Sequence, residues 1–298
     1  MDLQTDDYGQ LRQTAALIRA DVLKMTTAAG SGHPGGSLSA SDIMVMLYFG
    51  GVLRYDPENP DWPARDRFIL SKGHVAPVLY ATLARAGYFP LSELASLRQF
   101  GSRLQGHPDK LKLPGVEASA GSLGQGLSIA CGLAYALAKD HLSAGLAQDT
   151  KPRVYVLLGD GECQEGQVWE AAMFAAHHRL SNLVAIIDNN GLQIDGAVSA
   201  VCDVGDLAAK FSEFGWQVSQ IDGHDFVALQ AAFATAANQL SDSRPQVIVA
   251  QTIKGKGVSF MEGKAEWHGK SLSTEQLEAA LAELAPLLDE PAIDISGD

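Results

Sequence analysis

The sequence predicts an α/β fold, with a doubly wound, mainly parallel sheet flanked by helices. Short apolar segments such as RVYVLL (153–158), LVAIID (183–188) and QVIVAQT (246–252) are predicted as strands. Segments with helical apolar spacing, roughly ten to fifteen residues long, separate them, and this alternation is typical of βαβ units around a parallel sheet. The 298 residues contain no repeat, low-complexity tract or convincing internal linker. One α/β domain is therefore the simplest interpretation.

The first half of the chain is predicted as mainly helical, with one strand. After a flexible terminus over residues 1–8, residues 9–29 place apolar side chains at helical spacing and form an amphipathic helix. The glycine-rich segment GSGHPGGSLS (30–39) is predicted as a break. The elements predicted after it are an apolar helix (ASDIMVMLYFGGVL), a short strand ending in a turn (DRFILSKGH), two helices (APVLYATLARAGY and SELASLRQF), an irregular stretch (101–126) and a helix (LSIACGLAYALAKDHL).

The second half of the chain alternates strands with helices. Helices are predicted over 166–178, near 206–214 and over 225–240, and a further strand over 216–221. The α/β domain is predicted to span residues 9–272. One acidic amphipathic helix (EQLEAALAELAPLL) and a frayed end follow it over residues 273–298.

The charge of the chain limits its partners. The formal net charge is −13 and the isoelectric point is near 5.0, so the protein as a whole would repel nucleic acid and anionic membranes. An anionic ligand would need local help from a metal ion, backbone N–H groups or neutral histidines. We therefore expect neither a nucleic-acid partner nor a membrane partner.

The cysteines and the N-terminus predict a cytoplasmic protein. The three cysteines (Cys131, Cys163 and Cys202) are odd in number and form no CxxC pair, which argues against a disulfide framework or a zinc ribbon. The first 25 residues lack the basic start and continuous apolar stretch of a secretory signal. No segment is long and apolar enough to predict a transmembrane helix.

Polar side chains follow two successive predicted strands. Asp160 comes directly after the strand 153–158, and Asn190 follows the strand 183–188, 30 residues further on. In a parallel sheet both would lie at the edge where ligands bind. A carboxylate, an amide oxygen and a nearby backbone carbonyl suit Mg²⁺ or Ca²⁺ with an anionic phosphate ligand. A lone GDG would favour a simple N-cap and turn, but the pair spans a complete βα unit and favours a metal–diphosphate site.

The same segment resembles a known family. GDGECQEGQVWEA…DNNGLQIDG is similar to the thiamine diphosphate motif in its transketolase form, and the resemblance extends over about residues 10–270. It includes SGHPGGSLS, LSKGHVAPVLY, QGHPD, LPGVEASAGSLGQG and TIKGKGVSFMEGKAEWHG, in that order. These match the first, diphosphate-binding third to half of a transketolase. The resemblance therefore implies the thiamine-diphosphate-binding fold and thiamine diphosphate with Mg²⁺ (or Ca²⁺) as cofactors.

Five of the eight histidines lie beside a glycine, and each taken alone is more simply a turn histidine. The resemblance implies roles for four of them. His33 and His268 match histidines that move protons and hold oxygens at the reaction centre, and His107 matches one that grips the donor's terminal hydroxyl. His74 matches a contact to the cofactor diphosphate, which His268 shares. For His224 we expect only a cap on the helix that follows it.

The resemblance also implies roles for residues outside the histidines. Glu165 matches an interface glutamate that links two cofactor sites, although a first-turn helix residue is an equal alternative. Gly121 and Leu123 match a segment against the aminopyrimidine, where Ser122 replaces the proline of the more familiar form. The other matched positions are the diphosphate contacts Gly161 and Asn190, the metal ligands Asp160 and Asn190, and the main-chain oxygen of Leu192 as third ligand. KGKG (254–257) is predicted as a strand-end turn rather than a phosphate loop.

The resemblance implies the N-terminal subunit of a two-chain transketolase, which transfers a two-carbon ketol unit from a ketose to an aldose, with or without phosphate groups. The pyrimidine-binding and C-terminal domains of that family, with their activating glutamate, have no counterpart here. We therefore expect a separate C-terminal subunit, in an α2β2 assembly, with SIACGLAYALA (128–138) as a candidate contact helix. The alternatives are the α subunit of a 2-oxo acid dehydrogenase and a non-catalytic cofactor-binding subunit.

Overall fold

A parallel sheet of five strands forms the centre of the chain. The computed structural model describes residues 5–143, 151–238 and 243–288. The strands of the central sheet are β1 (Arg67–Leu70), β2 (Val154–Gly159), β3 (Leu183–Asn189), β6 (Gln217–Asp222) and β7 (Gln246–Gln251), and the short hairpin strands β4 (Leu192–Gln193) and β5 (Gly196–Ala197) follow β3. The order in the central sheet is β1-β2-β3-β7-β6, and every pairing in it is parallel. The predicted α/β fold is confirmed.

Helices cover both faces of the sheet. They are α1 (Thr5–Ala28), α2 (Pro34–Phe49), α3 (Ala76–Arg85), α4 (Gln125–Ser143), α5 (Gly166–His177), α6 (Val198–Cys202), α7 (Leu207–Glu213), α8 (Phe226–Asn238) and α9 (Thr274–Leu288). Helices α1, α2, α3, α8 and α9 pack on one face, and α4, α5 and α7 pack on the other. This two-sided cover explains why the strands are continuously apolar.

Successive strand residues alternate between the two cores. Along β2, Tyr155 and Leu157 belong to the core under α1 and α2, whereas Val154, Val156 and Leu158 belong to the core under α4 and α5. This is the period of two that a pleated strand imposes. A strand buried on both faces cannot slip in register without moving every side chain to the other core, so the carboxyl ends of the strands are held in fixed relation.

Several predicted boundaries differ from the observed ones. Helix α1 begins at Thr5 rather than residue 9, so part of the terminus predicted as flexible is helical, and residues 1–4 lie outside the described residues. Helix α2 begins at Pro34, inside the predicted glycine-rich break. Pro34 has the fixed φ that suits a first helical turn. An added Cβ at Gly35 would lie 2.7 Å from the Trp267 carbonyl oxygen, so glycine is required there by close packing.

The predicted helix SELASLRQF is wrong. Only a 3₁₀ segment forms there, over Leu91–Ser96, and Arg98 then has a positive φ of 58°, which an α-helix cannot contain. The burial of this segment would also stabilise a helix only weakly, since Leu94 and Leu97 are buried while Leu91 is 46% exposed. The β4–β5 hairpin and α6 are elements that the sequence pattern did not predict.

The C-terminal helix belongs to the same core as the sheet. Helix α9 packs against α1 and buries Ala280 and Leu284 in the core shared by α1, α2 and α3. The predicted boundary at residue 272 therefore does not separate two packing units. The frayed end predicted after this helix, and the last two residues of the helix predicted over 225–240, lie outside the described residues. Within the described ranges, no helix has the length and apolar character to cross a bilayer.

Candidate functional site

The predicted pair Asp160 and Asn190 lies at one edge of the sheet. Strands β2 and β3 are adjacent and parallel, with Gly159 opposite Asp188, so the residues that follow them emerge side by side. The Asp160 carboxylate accepts hydrogen bonds from the backbone N–H groups of Gly161 at 2.8 Å and Gly191 at 2.5 Å. The carboxylate thus holds the two strand-end loops together.

A cavity of about 120 Å³ opens at this edge. The predicted residues that line it are Asp160, Gly161, Asn190, Leu192, Leu123, His74 and His268. The Asn190 side-chain oxygen accepts from the Leu192 N–H at 3.1 Å, which fixes the turn that carries both residues. Within the described part of the chain, no cluster of three or more His, Cys, Asp or Glu side chains suits a metal ion. Any metal held here would therefore depend on amide and backbone oxygens beside the Asp160 carboxylate.

The Asp160 carboxylate is electrostatically strained. Its residue is 3% exposed, and burial, together with the nearby charge of Asp188, raises its pKa to about 6. The N–H groups of Gly161 and Gly191 offset only part of this shift. A cation beside Asp160 would favour the ionised carboxylate.

A buried ion pair lies beneath the cavity. The Lys72 ammonium donates to the Asp188 carboxylate, which also accepts from the hydroxyls of Ser39 and Thr252. Burial opposes the charge on Asp188, but Lys72 and these donors outweigh it and hold its pKa below the ordinary value. Because the four residues come from α2 and from the ends of β1, β3 and β7, the pair fixes these elements around the site.

Three of the predicted histidines form a cluster. His33 lies at the start of α2, His74 in the 3₁₀ turn after β1, and His268 after the 3₁₀ turn Ala265–Trp267. Their ring centroids are 5.2 Å apart for His33 and His74, 5.5 Å for His33 and His268, and 4.9 Å for His74 and His268. The Nδ1 atom of His33 is buried and has no hydrogen-bond partner among the described residues.

The clustered histidines are neutral at physiological pH. Burial is the main cause, and it lowers the pKa of His33 to about 4, that of His74 to about 2 and that of His268 to about 3. Neighbouring cations add to the effect, led by Arg98 at His33, Lys72 at His74 and Lys254 at His268. A neutral imidazole carries one N–H donor and one acceptor, so each ring can donate one hydrogen bond and accept another.

His107 does not line the cavity and lies beside Gly121. An added Cβ at Gly121 would come within 3.8 Å of the His107 ring, so the structure brings these two predicted residues together. Burial and then Arg98 lower the pKa of His107. His107 and Gly121 are both exposed, unlike the three clustered histidines.

Glu162 is a site residue that the motif comparison missed. Its buried carboxylate accepts from the Ser71 hydroxyl, from the N–H of Gly124 at 2.8 Å and from the N–H of Gly159 at 3.0 Å. These partners come from the end of β1, the loop that carries Leu123 and the end of β2. Glu162 therefore fixes three walls of the cavity. The sequence feature that could have indicated Glu162 is its position directly after the GDG motif.

Lys254 is the second missed residue. The KGKG segment is more than a strand-end turn, because the Lys254 side chain is buried at 2% exposure and lines the cavity. Its Nζ lies 3.2 Å from the His268 Nδ1. Burial and then Lys72 lower its pKa to about 8, so much of its population is still charged near neutral pH. Together with Lys72 it supplies the cationic wall that an anion requires in a chain of net charge −13.

Glu165 lies outside this cavity. It occupies the N-cap position of α5 without a side-chain capping bond, and it is exposed. An added Cβ at Gly124 would lie 2.8 Å from the Glu165 Cβ, so the residue is next to the loop that carries Leu123. Within the single chain it faces outward.

The sheet and its strand-end cavity define a ligand-binding α/β domain. The profile of the family described as "Transketolase, thiamine diphosphate binding domain" matches residues 11–286. The chain therefore belongs to the transketolase family, within its thiamine diphosphate binding domain.

Relatives of two lengths resemble the chain. It is 43% identical over 274 residues to a 6-deoxy-6-sulfo-D-fructose transketolase subunit from a Clostridium species, covering 92% of this chain and 96% of the relative. It is 41% identical over 279 residues to an apulose-4-phosphate transketolase subunit from Actinobacillus succinogenes, covering 93% and 96%. Human transketolase is 40% identical over 299 residues, which cover 96% of this chain and 46% of the human protein.

The fold comparison agrees with these relatives. The structure of transketolase from Leishmania mexicana superposes with a TM-score of 0.86 at 32% sequence identity, over 96% of this chain and 43% of that one. The chain thus spans nearly all of the two subunit relatives and just under half of the full-length transketolases.

Proposed function

We propose that this chain is the cofactor-binding subunit of a two-chain transketolase, and that it binds thiamine diphosphate with Mg²⁺. The observation that carries the proposal is the meeting of Asp160, Asn190 and Leu192 at one strand edge, beside the cluster of neutral histidines. Transfer of a two-carbon ketol unit is the activity of the family.

The oxygen donors at the strand edge fit Mg²⁺. The Asp160 carboxylate, the Asn190 amide oxygen and the Leu192 main-chain oxygen would bind the metal and leave positions for phosphate oxygens. The raised pKa of Asp160 supports this assignment, because a divalent cation would stabilise the charge that burial disfavours. Ca²⁺ accepts the same donor types and is the alternative metal.

The lining of the cavity fits a diphosphate. Gly161 has no side chain between its backbone and the cavity. A Cβ added there would also lie 3.1 Å from the Gln193 side-chain oxygen, so the space is available only with glycine. Lys254, His74 and His268 also line the cavity and offer N–H donors. Leu123, with Gly121 nearby, would contact the organic part of the cofactor. When bound, thiamine diphosphate would supply the carbanion chemistry, and the protein would orient it and the substrate.

The histidines would form hydrogen bonds with the oxygen atoms at the reacting carbon. The low pKa values keep His33 and His268 neutral, so each ring could donate a hydrogen bond to a developing negative oxygen through its N–H and accept one at its other nitrogen. The Nδ1 of His33 has no hydrogen-bond partner among the described residues, so a ligand could supply one. A fixed hydrogen-bond donor stabilises a developing negative charge in a transition state by about 3 kcal/mol. His107, which is exposed, would hold the terminal hydroxyl of the donor sugar.

A partner subunit would complete the site. The two relatives of matching length are named as subunits of transketolases. The glutamate that activates the cofactor in the family has no assigned counterpart in this chain. We propose a C-terminal subunit that carries it, in an α2β2 assembly around a two-fold axis. Glu165, exposed beside the Leu123 loop, would become buried at a contact between cofactor sites.

The two alternatives make different predictions. An α subunit of a 2-oxo acid dehydrogenase would perform oxidative decarboxylation with a lipoyl partner, but the family match and the relatives described above are transketolases. A non-catalytic cofactor-binding subunit would bind thiamine diphosphate without turnover in any assembly.

The test uses this chain with and without the product of the neighbouring gene. We expect Asp160→Ala to abolish Mg²⁺-dependent binding of thiamine diphosphate, measured by calorimetry on the assembled complex, while the fold is retained. Unchanged cofactor affinity would refute the metal site. Ketol transfer is expected only with the partner present, and full turnover by this chain alone would refute the two-chain proposal.

A further inference from the structure

The His224 ring connects three elements next to the site. It lies in the turn between β6 and α8, where its Nδ1 is 2.6 Å from the Asp42 carboxylate of α2. Its Nε2 accepts a hydrogen bond from the backbone N–H of Ile253, just after β7, at 2.9 Å. The expected cap on α8 comes instead from Asp225, whose carboxylate accepts from the Val227 N–H at 2.9 Å. The His224 ring is therefore free to bridge Asp42 and Ile253.

These contacts define the hydrogen-bonding roles of the two ring nitrogens. Because Nε2 accepts from the Ile253 N–H, it carries no proton, and the single ring proton lies on Nδ1, facing Asp42. Asp42 is held in turn by Arg19, which donates to both carboxylate oxygens at 3.0 Å and 2.6 Å. Burial opposes the charge on Asp42, but Arg19 and His224 outweigh it and keep its pKa below the ordinary value. The carboxylate is thus a permanent acceptor that selects the tautomer of His224.

The turn around His224 is built to fit the end of β7. The Asp222 carboxylate accepts from the His224 N–H at 2.8 Å. The Gly223 N–H donates to the Gln251 carbonyl at 2.7 Å, and an added Cβ at Gly223 would lie 2.6 Å from the Thr252 Cγ2. The segment DGH is therefore held against the end of β7, which places the His224 ring beside Ile253.

The backbone held by His224 carries Lys254 into the cavity. Strand β7 ends at Gln251, and Ile253 directly precedes Lys254, whose Nζ lies beside His268. The segment has other anchors, since the Thr252 N–H donates to the Asn189 carbonyl at 3.2 Å and the Gly255 N–H donates to the Gly35 carbonyl at 2.9 Å. The bond from Ile253 to His224 holds the segment between these two anchors.

We infer that His224, oriented by Asp42, is a positioning residue that fixes the backbone at Ile253 and thereby the location of Lys254 in the cofactor cavity. The role of Lys254 toward a cofactor diphosphate rests on the proposed function, whereas the bond between His224 and Ile253 does not.

The first test is made on the full chain by nuclear magnetic resonance. A scalar coupling across the N–H···N bond is expected between the Ile253 amide nitrogen and the His224 Nε2, together with a ring proton on Nδ1. Absence of the coupling, or a proton on Nε2, would overturn the inference. This measurement requires no variant.

Two variants test whether the bond positions Lys254. His224→Leu removes both contacts, so amide exchange at Ile253 should accelerate at least about tenfold while exchange at Val249 and Ala250 in β7 is unchanged. The Lys254 Cε resonance should shift as well. His224→Gln offers a donor and an acceptor and should retain most of the protection. If His224→Leu does not fold, His224→Asn, whose shorter side chain reaches Asp42 but not Ile253, replaces it. An unchanged Lys254 resonance would overturn the inference.

The cofactor measurement separates this inference from the proposed function. In the assembled complex, His224→Leu should weaken binding of thiamine diphosphate with Mg²⁺ by about five- to tenfold, the effect of one lost hydrogen bond. His224→Gln should stay within about twofold. If Asp160→Ala abolishes binding but His224→Leu has no effect, the inference fails and the proposed function stands. If Asp160→Ala binds normally, the proposed function fails, and the Ile253 and Lys254 resonances decide the inference alone.

Discussion

Burial determines the charge state of single residues at the site. His74 is enclosed by Lys72, His33 and His268, so a proton on its ring would be poorly solvated and would face positive charge. The folded chain therefore resists protonation at positions where an unfolded chain accepts it near pH 6.5.

This resistance predicts a loss of stability in acid. The folded pKa of His74, about 2, lies below the unfolded value of 6.5, so the unfolded state binds more protons between these pH values. The contribution of the neutral ring is fully present above pH 6.5 and is lost as the pH falls. Between pH 6.5 and 5 this amounts to roughly 2 kcal/mol of unfolding free energy for one such ring.

The measurement is urea unfolding of the full chain between pH 7 and pH 5. His74→Asn should flatten the pH dependence relative to the wild type, because it removes one of the three contributing rings. His177→Asn, at an exposed position in α5, serves as the control and should keep the wild-type slope. Parallel profiles for wild type and His74→Asn would contradict the prediction.

Replacement of His107 is expected to affect the kinetics of the donor sugar and not those of the acceptor. Because its pKa is lowered, it offers a neutral hydrogen bond, worth about 0.5–1.5 kcal/mol. In steady-state kinetics of the assembled complex, His107→Ala should lower kcat/KM for the donor by roughly 2- to 13-fold, with a raised donor KM and a lowered kcat. Cofactor affinity should be preserved. A change in acceptor kinetics with unchanged donor kinetics would show that the role is misassigned.

At the scale of elements, glycines permit the close packing that brings the walls of the site together. Gly126 lies in the first turn of α4, where an added Cβ would be 2.4 Å from the Ser71 Cβ at the end of β1. Ser71 in turn donates to Glu162, which holds the Leu123 loop and the end of β2. Contact between α4 and β1 is thus coupled to the shape of the cavity.

Two glycines of α4 give a matched comparison. Gly126→Ala should force α4 away from β1 and lower the free energy of unfolding by about 1–3 kcal/mol. Gly132→Ala should be neutral or stabilising by up to about 1 kcal/mol, because nothing lies within 4 Å of the added Cβ and alanine favours a helix. Chemical denaturation of both variants measures the difference. If both variants changed the free energy of unfolding by the same amount, the close contact between Gly126 and Ser71 would not be needed for stability.

At the scale of the whole molecule, an apolar surface lies across α4 and α5. Helix α4, a candidate contact element from its sequence, buries Ala130, Cys131 and Ala134 in the core and leaves Tyr135 at the surface. On α5, Met173 is 51% exposed and Phe174 is 41% exposed. We name Tyr135, Met173 and Phe174 the α4–α5 surface, and their exposed apolar area suits an assembly contact.

A charge placed in the α4–α5 surface should weaken the assembly. Phe174→Asp should reduce the mass of the assembled complex in light scattering at micromolar concentrations, because a charge would be buried at the contact. Val227→Asp, at a 52% exposed apolar position on α8, is the matched control and should leave the assembly intact. Loss of assembly in both variants, or in neither, would contradict the assignment of this surface.

The sequence by itself determined the fold class, most strands and the outline of the site. Strand periodicity is local, and a run such as VYVLL buried on both faces is a strong signal wherever it occurs. The 30-residue spacing of Asp160 and Asn190 sufficed to predict that both lie at one edge, because the connection between adjacent parallel strands follows from the fold class. The motifs around His33, His74 and His268 indicated these residues without showing that the three rings lie together.

Only the tertiary structure decided the contacts between distant segments. Glu162 is bonded to Ser71, 91 residues away, and His224 to Ile253, 29 residues away. Lys254 lies beside His268, 14 residues along the chain and across an irregular loop. Local sequence carries no information on such partners, because their hydrogen bonds depend on where the sheet places each loop. Burial likewise sets the pKa of every clustered histidine, and it arises only when helices close over both faces of the sheet.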